Sequence, residues 1–232
     1  MKNNFFSLST IATGALLATG AASAQYTVQL GFANVDLGAS ANATSGPFLP
    51  ANTTSLNMRA QQTLFFSFAR EINDNWDVQL SLGYPPTHDV TLKVLMPGNL
   101  PPSAASKDGQ LIGTVRQIAP TLFANYKFGE ASDKLRPFVG IGINYTAFDQ
   151  ANSTALFNQF SGGTTNNKLS DSWGLAAQLG AVYKLDGPWS VSGTWSSADV
   201  KSTLTNNTYG VERKTDIQFN PSVFILAVGY SF

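Results

Sequence analysis

Side chains along most of the chain alternate between apolar and small or polar, and this period of two constrains the fold most. In residues 172–185, SWGLAAQLGAVYKL, every second position from Trp173 to Leu185 is apolar, and the positions between them are mostly small or polar. Successive side chains of a β-strand point to opposite faces of the sheet, so the pattern predicts strands that are apolar on one face. Past the N-terminal region, no segment reaches the ~18 consecutive apolar residues that a membrane helix needs.

The N-terminal region, residues 1–24, has the composition of a secretory signal peptide. A short positive start precedes an uncharged, mostly apolar run from Phe5 to Ala21, and small residues follow up to Ala24. The alternative is an N-terminal membrane anchor, but Ser, Thr and Gly interrupt the run. The sequence therefore predicts cleavage after Ala24 and a mature domain of residues 25–232.

Eight stretches of the mature chain show the alternation, and the connections between them differ in length. They lie near Tyr26–Val35, Thr63–Ile72, Trp76–Tyr84, Arg116–Phe128, Phe138–Phe148, Ser172–Leu185, Trp189–Ala198 and Ile217–Phe232. The connections at 73–75 and 186–188 are short, whereas the long ones are rich in Asn, Ser, Thr, Gly and Pro. An even strand number with short turns at one end is typical of bacterial outer-membrane barrels. The predicted fold class is all-β, an eight-stranded antiparallel up-and-down transmembrane β-barrel.

Aromatic residues at the strand ends distinguish this fold from the alternative, a soluble barrel with its apolar face inside. Those near the short turns or termini are Tyr26, Trp76, Tyr126, Phe128, Tyr183, Trp189, Tyr230 and Phe232, and those near the opposite ends are Tyr84, Tyr145, Trp173 and Trp195. Two aromatic levels enclosing aliphatic residues are typical of interfacial girdles. The sequence therefore predicts a barrel in the Gram-negative outer membrane, surrounded by membrane lipid and lipopolysaccharide.

The predicted interior of the barrel is narrow and nearly neutral. An eight-stranded lumen is nearly filled by side chains, which excludes a general water-filled porin. Inward positions are mostly small and uncharged, and Gly140, Gly142 and Gly180 are examples. The inward charges near the short turns are Glu71, Asp77, Lys127 and Lys184. Because buried charges need partners, we predict that these four form a neutral periplasmic plug below a funnel. A packed interior without any passage is the alternative.

Prolines predict a break in the barrel wall. Pro85 and Pro86 directly follow one strand and Pro120 lies within the next, although Pro cannot donate to a sheet ladder. Alternation resumes beyond Pro86, so the strand is expected to continue above the membrane. If Met96 pairs near Gln110, antiparallel register brings Pro86 opposite Pro120. Our hypothesis is that the wall opens sideways to lipid there, and an ordinary bulge is the alternative.

Several segments resemble a known family. Residues 136–148, RPFVGIGINYTAF, are similar to the RPYVGxGxNYT segment of the OmpW family of eight-stranded outer-membrane barrels. Asn75-Trp76, PPTHD at 85–89 and APTL at 119–122 also resemble that family's segments, in the same order. The resemblance implies a hydrophobic channel that admits small apolar molecules and releases them laterally into the outer membrane, as in the family's alkane-uptake members.

Two further features bear on the resemblance. The family commonly has a single Pro, preceded by an aromatic residue, before the His, whereas Pro85 and Pro86 both precede His88 here. The C-terminal VGYSF resembles the aromatic signal that the outer-membrane assembly machinery reads, which makes that machinery a predicted partner through Phe232.

Catalysis, metal binding and nucleic-acid binding find no support in the sequence. His88 is the only histidine and no cysteine is present, so a thiolate or His-rich metal site is excluded. No serine lies next to His88 in sequence to act as a nucleophile, and we predict a hydrogen bond at the barrel rim instead. The 14 basic and 14 acidic residues leave no net charge to attract nucleic acid. The predicted protein is neither an enzyme nor a cofactor binder.

Two functions remain open. In the first, Leu56 and Met58 of the first long loop, with Leu92 and Met96 of the upper strand extension, form an apolar surface. Small hydrophobic solutes would pass from it, by His88, into the glycine-lined interior and leave past the prolines. In the second, the protein is a non-conducting structural barrel whose extracellular loops serve as a surface receptor or adhesion site.

Overall fold

A computed structural model describes residues 25–47, 50 and 52–232. The signal peptide predicted for residues 1–24 lies outside these described residues. The strands are β1 (Tyr26–Asp36), β2 (Ala39–Ala41), β3 (Thr54–Met58), β4 (Gln61–Glu71), β5 (Trp76–Gly83), β6 (Thr87–Val94), β7 (Leu111–Ile118), β8 (Thr121–Lys127), β9 (Leu135–Ser153), β10 (Thr165–Leu169), β11 (Ser172–Lys184), β12 (Trp189–Ala198), β13 (Val200–Thr208), β14 (Val211–Phe219) and β15 (Ser222–Ser231). The short helices are a 3₁₀ turn (Pro97–Asn99), α1 (Pro102–Ala105) and α2 (Ala155–Ser161). No helix in the described ranges is long and apolar enough to cross a membrane.

Eight antiparallel strands close into a barrel in the order β11-β12-β15-β1-β4-β5-β8-β9, with β9 pairing back to β11. The first and last strands are joined at the periplasmic end, where the Tyr26 amide donates to the Phe232 carbonyl and the Phe232 amide donates to the Tyr26 carbonyl, both at 2.9 Å. In lipid each backbone N–H and C=O must find a protein partner, and closure provides one along both edges of every strand. The predicted fold class is confirmed.

The outer face of the barrel is apolar, as the alternation predicts. The large hydrophobic side chains Phe32, Ile141 and Leu175 are all at least 70% exposed. At the short-turn end, Trp76 packs on Tyr126 and Trp189 on Tyr230, with ring centroids 5.2 and 5.0 Å apart. At the other end Tyr145 packs on Trp173 at 4.7 Å. These aromatic pairs form two girdles that bound the lipid-facing band.

The remaining strands form sheet above the membrane, where the sequence predicts long polar loops and one strand extension beyond Pro86. A four-stranded sheet has the order β10-β13-β14-β2, and β3, β6 and β7 extend one wall of the barrel upward. Leu56 and Met58, expected in a loop, therefore lie on strand β3. The expected strand Ile217–Phe232 is wrong as a single element, because Asn220-Pro221 divides it into β14 and β15, which join different sheets. Pro221 lacks the amide that a continuous ladder would need.

A buried apolar layer joins the barrel to this upper part. Leu37, Val115, Val200 and Phe219 are among its fully buried members, each 2% exposed or less. Phe219 also packs on Phe148, with ring centroids 5.7 Å apart. The layer lies directly above the barrel interior and fixes the upper sheets on the barrel.

The lipid-facing band gives a first prediction. Leu226 is 74% exposed and lies on β15 between Phe224 and the girdle residue Tyr230. Leu226→Lys should lower the free energy of unfolding by about 2–4 kcal/mol, because an ammonium near the bilayer centre loses its hydration. Equilibrium urea unfolding in lipid vesicles measures this. Asn34→Lys, opposite Phe224 at the outer end of the band, is the matched control and should cost about 1 kcal/mol or less. Equal losses would contradict this placement of the membrane.

Candidate transport pathway

The upper strands enclose a cavity of about 740 Å³, which we call the vestibule. Its volume lies in the range of small-molecule binding sites. Leu56, Met58 and Leu92, predicted to form an apolar surface, all line it, and Phe157 and Phe160 of α2 contribute further apolar surface. Met96 is not part of this lining and is 46% exposed. The upper strand extension therefore contributes Leu92, but not Met96, to the vestibule.

A second cavity, of about 110 Å³, lies in the outer half of the barrel, and we call it the lumen cavity. Small and polar side chains such as Ala33, Thr121 and Ala176 form much of its lining. At the wall between β5 and β8, the lining includes Gly83 and Pro86. The lumen cavity therefore reaches the place where the sequence predicts a break.

The buried layer separates the two cavities. No residue lines both, and the layer members Leu37, Phe148 and Phe219 line neither. Along the start of β6, Pro86 just before the strand lies at the lumen cavity, His88 follows at the buried level, and Val90 lies at the vestibule. A solute that passes from one cavity to the other must therefore displace side chains of the buried layer.

The barrel wall between β5–β6 and β7–β8 has a gap in its backbone ladder. Ser81 pairs with Thr121 below the gap and Thr87 pairs with Arg116 above it. Between these pairs, the single backbone hydrogen bond across the wall in the described chain runs from the Gln117 amide to the Pro86 carbonyl, at 3.1 Å. The five residues 82–86 face the four residues 117–120, and prolines on both sides lack amide donors. The predicted interruption is therefore present.

The predicted register at this gap is wrong. Pro86 lies opposite Gln117, and the β5–β8 register places Pro120 opposite Leu82. Met96 does not pair with Gln110, since the Gln110 carbonyl accepts from Leu92 at 2.9 Å. The sequence pattern could not reveal the unequal numbers of residues on the two sides, nor the register shift of β6 after Val90.

The gap lies at the level of the outer aromatic girdle and is confined to one wall. Tyr84 is 66% exposed next to it. On the other side of Pro120 the sheet is intact, because the Pro120 carbonyl accepts from the Tyr145 amide of β9 at 3.0 Å. Strand β9 pairs with β8 through residues 138–144 and with β7 through residues 147–153. It thus holds β8 below the gap and β7 above it, both on the same side of the gap.

Three of the four residues predicted to form the periplasmic plug come together. The Lys127 ammonium lies 3.0 Å from a Glu71 carboxylate oxygen and 2.9 Å from one of Asp77. Lys184 does not join them, because it is exposed and donates to the Ala131 carbonyl. A buried cation at the same end, Arg136, donates to backbone carbonyls of residues 127–129. Arg136 was missed because its partners are backbone groups, which leave no charge pattern in the sequence.

Above these charges, a network of side-chain amides closes the lumen. Gln178 donates to Asn125 at 2.6 Å and to Gln79 at 2.9 Å, and Asn125 donates to Asp77 at 2.7 Å. Gln79 in turn donates to Gln29 at 3.1 Å. Gln178 also lines the lumen cavity, so the network forms the floor of that cavity. The sequence does carry a signal for this network, because side-chain amides occupy inward positions of four strands. The sequence analysis described the inward positions only as small and uncharged and so did not predict the network.

The inward glycines face the interior but line neither cavity. A Cβ added to Gly140 would lie 3.0 Å from Gln178, and one added to Gly142 would lie 2.7 Å from the Phe123 ring. At Gly180 the corresponding distance to the Phe138 ring is 2.8 Å. These glycines therefore accommodate neighbouring side chains, which fill the volume that glycine leaves free.

His88 is fully buried, whereas the sequence suggested a position at the rim. Its Nδ1 donates to the Arg59 carbonyl at 3.0 Å, and its Nε2 has no hydrogen-bond partner within the described structure. Burial lowers the pKa of His88 below its ordinary value, although Asp89 and the carbonyl oppose the shift. The imidazole is therefore neutral at pH 7. Within the described ranges, no group of three His, Asp or Glu side chains could hold a metal ion.

The closed eight-stranded barrel, its two girdles and its polar interior define a class, the small transmembrane barrels of the bacterial outer membrane. Residues 23–232 match the profile of the OmpW family. The chain therefore belongs to the OmpW family and is an outer-membrane protein of the Gram-negative envelope, which confirms the predicted family and location.

Individual relatives agree with this assignment. Outer membrane protein W of Vibrio cholerae is 34% identical over 168 residues, which cover 69% of this chain and 76% of the relative. The dibenzothiophene metabolism operon protein PahQ of Pseudomonas aeruginosa is 26% identical over 92% of both chains. The crystal structure of OprG from Pseudomonas aeruginosa superposes with a TM-score of 0.77 and 25% identity, covering 90% of this chain and 96% of OprG.

The charges at the periplasmic end give a second prediction. Lys127→Met leaves Asp77 buried without a cation, which should lower the free energy of unfolding by about 3 kcal/mol. Lys201→Met is the control, because Lys201 pairs with Asp199 at an exposed site and should matter by less than about 1 kcal/mol. Urea unfolding in vesicles compares them. Adding Asp77→Asn to Lys127→Met should recover much of the loss, and equal effects of the two lysine variants would refute the difference in burial.

His88 gives a third prediction. Because its folded-state pKa lies below the unfolded value of about 6.5, its contribution to stability is fully present above pH 6.5 and is lost as the pH falls through this value. Amides of β6 should therefore open more easily at pH 5 than at pH 7.5. Hydrogen exchange, corrected for intrinsic rates, measures this. His88→Asn should remove the difference, and an unchanged difference in that variant would assign it to another group.

Proposed function

We propose that this protein is a channel for the passive uptake of small hydrophobic molecules, which it releases laterally into the outer membrane through the gap in its wall. One observation carries the proposal: the lumen cavity borders the gap at Gly83 and Pro86, while the amide network closes the lumen beneath it. A solute in the lumen cavity therefore has a shorter way out through the wall than through the periplasmic end.

The proposed path follows apolar surface. A solute collects in the vestibule against Leu56, Met58 and Leu92, passes the buried layer and enters the lumen cavity. Burial of apolar surface contributes about 0.8 kcal/mol per methylene, so no specific polar contact is needed for entry. The hydrocarbon region of the membrane that begins at the level of the gap is apolar as well. Net movement then follows the concentration gradient, without a catalytic step or an energy source.

The level of the gap supports release into the outer leaflet. Tyr84 next to the gap and the Tyr145–Trp173 pair mark the outer girdle, where lipid headgroups meet hydrocarbon. A solute leaving here has already passed the polysaccharide and headgroup region, which is the main barrier for an apolar molecule.

The name of one relative supports the solute class. PahQ is described as a protein of a dibenzothiophene metabolism operon, and dibenzothiophene is an apolar aromatic compound. We extend to this chain a preference for apolar solutes in general, without specifying an alkane or an aromatic compound.

Cross-linking across the gap tests the proposal. Gly83→Cys with Ala119→Cys places two thiols on opposite sides of the gap, in a chain that has no native cysteine. A short bifunctional thiol reagent should then lower cellular uptake of a medium-chain alkane at least severalfold, because it prevents the wall from opening. Ala33→Cys with Thr63→Cys is the control, because this pair lies in an intact ladder and lines the same cavity.

Replacing Pro85, Pro86 and Pro120 by valine provides a second test, in which uptake should fall because ladder bonds can form. Uptake that survives both changes would exclude the lateral route. If cells take up alkane equally with and without the folded barrel, the alternative of a structural barrel with receptor loops is favoured.

A further inference from the structure

The vestibule carries charge of one sign only. Its charged lining residues are Lys107, after α1, and Arg213, near the upper end of β14, and no acidic residue of the described chain lines it. Each cation is partly buried, so part of its hydration shell is replaced by the cavity wall. The rest of the lining is uncharged, so the field in this space attracts anions.

Neither cation is neutralised by a described carboxylate. Lys107 and Arg213 form none of the ion pairs in the described structure. The acids next to them in sequence are engaged elsewhere: Asp108 accepts from the Val94 amide at 2.8 Å, and Glu212 accepts from Asn207 at 3.4 Å. The Nε of Arg213 donates to the Pro47 carbonyl at 3.3 Å, which positions the guanidinium and leaves its terminal nitrogens for another acceptor.

The opposite end of the vestibule is apolar. Met58, Val90 and Val115 line it next to the buried layer. On β14, Arg213 and the layer residue Phe219 are six residues apart, about 20 Å along an extended strand. The cation Arg213 and an apolar floor separated by about this distance match a molecule with an anionic head and an extended apolar tail.

We propose that the vestibule is a binding site for medium-chain amphiphiles with a single anionic head, such as a fatty-acid carboxylate. The two cations attract the head into the vestibule, one of them binds it through a charge-assisted hydrogen bond, and the tail lies against Met58 and Val115. This inference rests on the proposed uptake function and narrows its solute class. The position of the gap suits such a solute, because the tail can enter lipid at the outer girdle while the head stays at the interface.

Three probes with the same tail and different heads test the proposal: dodecanoate, its methyl ester and dodecylamine. Calorimetric titration of the barrel in lipid nanodiscs at pH 8 should give about tenfold tighter binding of dodecanoate than of the ester, and the weakest binding for the amine. Lys107→Gln with Arg213→Gln should abolish the preference while ester binding remains. The preference should also weaken in high salt, as expected for contacts between partly exposed charges.

The control and the second variant keep the test decisive. Lys93→Gln with Lys214→Gln removes the same charge from exposed neighbours that do not line the vestibule, and the preference should persist. Lys107→Arg with Arg213→Lys keeps both charges and should retain it too. Equal binding of dodecanoate and ester by the native protein, or equal losses in the glutamine variant and the control, would overturn the proposal.

Uptake assays separate this inference from the proposed function. Uptake of the methyl ester with no preference for dodecanoate binding overturns the anion site and leaves lateral uptake standing. Selective dodecanoate binding without uptake of any probe supports the site and overturns lateral uptake.

Discussion

Backbone hydrogen bonding in a medium without water is the constraint on which this structure depends. Each strand in the lipid band must be paired on both edges, so the first and last strands meet and the sheet closes. An unpaired stretch in such a wall is tolerated where its polar groups reach an interface or a cavity. The gap beside Pro86 and Pro120 satisfies both conditions, because it lies at the outer girdle and borders the lumen cavity.

The interior divides into two chemically different halves. The periplasmic half is filled by the amide network and by Lys127 with its two carboxylates, so every charge there has a partner. The outer half holds the lumen cavity, and above it lies an apolar layer around Phe219. The polar network requires fixed geometry, whereas the apolar layer is held by non-directional packing. The end that faces the cell exterior is therefore the easier one to rearrange.

The sequence alone predicted the barrel well, because alternation and girdles act within single strands. Aromatic residues such as Trp76 and Trp189 indicate the membrane boundary from their position in one strand, whichever strands they pair with. The upper sheets escaped prediction because their strands, for example β13 with its run of Thr and Asn, are polar on the exposed face and pack only through long-range pairing. The register at the gap could not be predicted, because it depends on how many residues of each strand are left unpaired there.

The same distinction holds for the candidate pathway. Leu56, Met58 and Leu92 could be predicted as an apolar surface because hydrophobicity is a property of the residue. Buried Arg136 could not, because its partners are carbonyl groups whose position only the fold determines. The role of the inward glycines could not be predicted from the sequence either. A glycine in the sequence does not show whether the space beside it is empty or is filled by a neighbouring side chain such as Gln178.

Strand β9 has a mechanical consequence. Its 19 residues run from the periplasmic end to the upper sheets, and it pairs with β8 below the gap, with β7 above it and with β11 along its other edge. Strands β7 and β8, which form one side of the gap, are thus each paired with the same continuous strand. Under the proposed lateral release, the gap therefore widens by movement of residues 85–86 on the β5–β6 side, while β7 and β8 stay paired with β9. The proposed opening is thus a local movement at one strand junction that keeps the pairs of β9, rather than a partial unfolding of the wall.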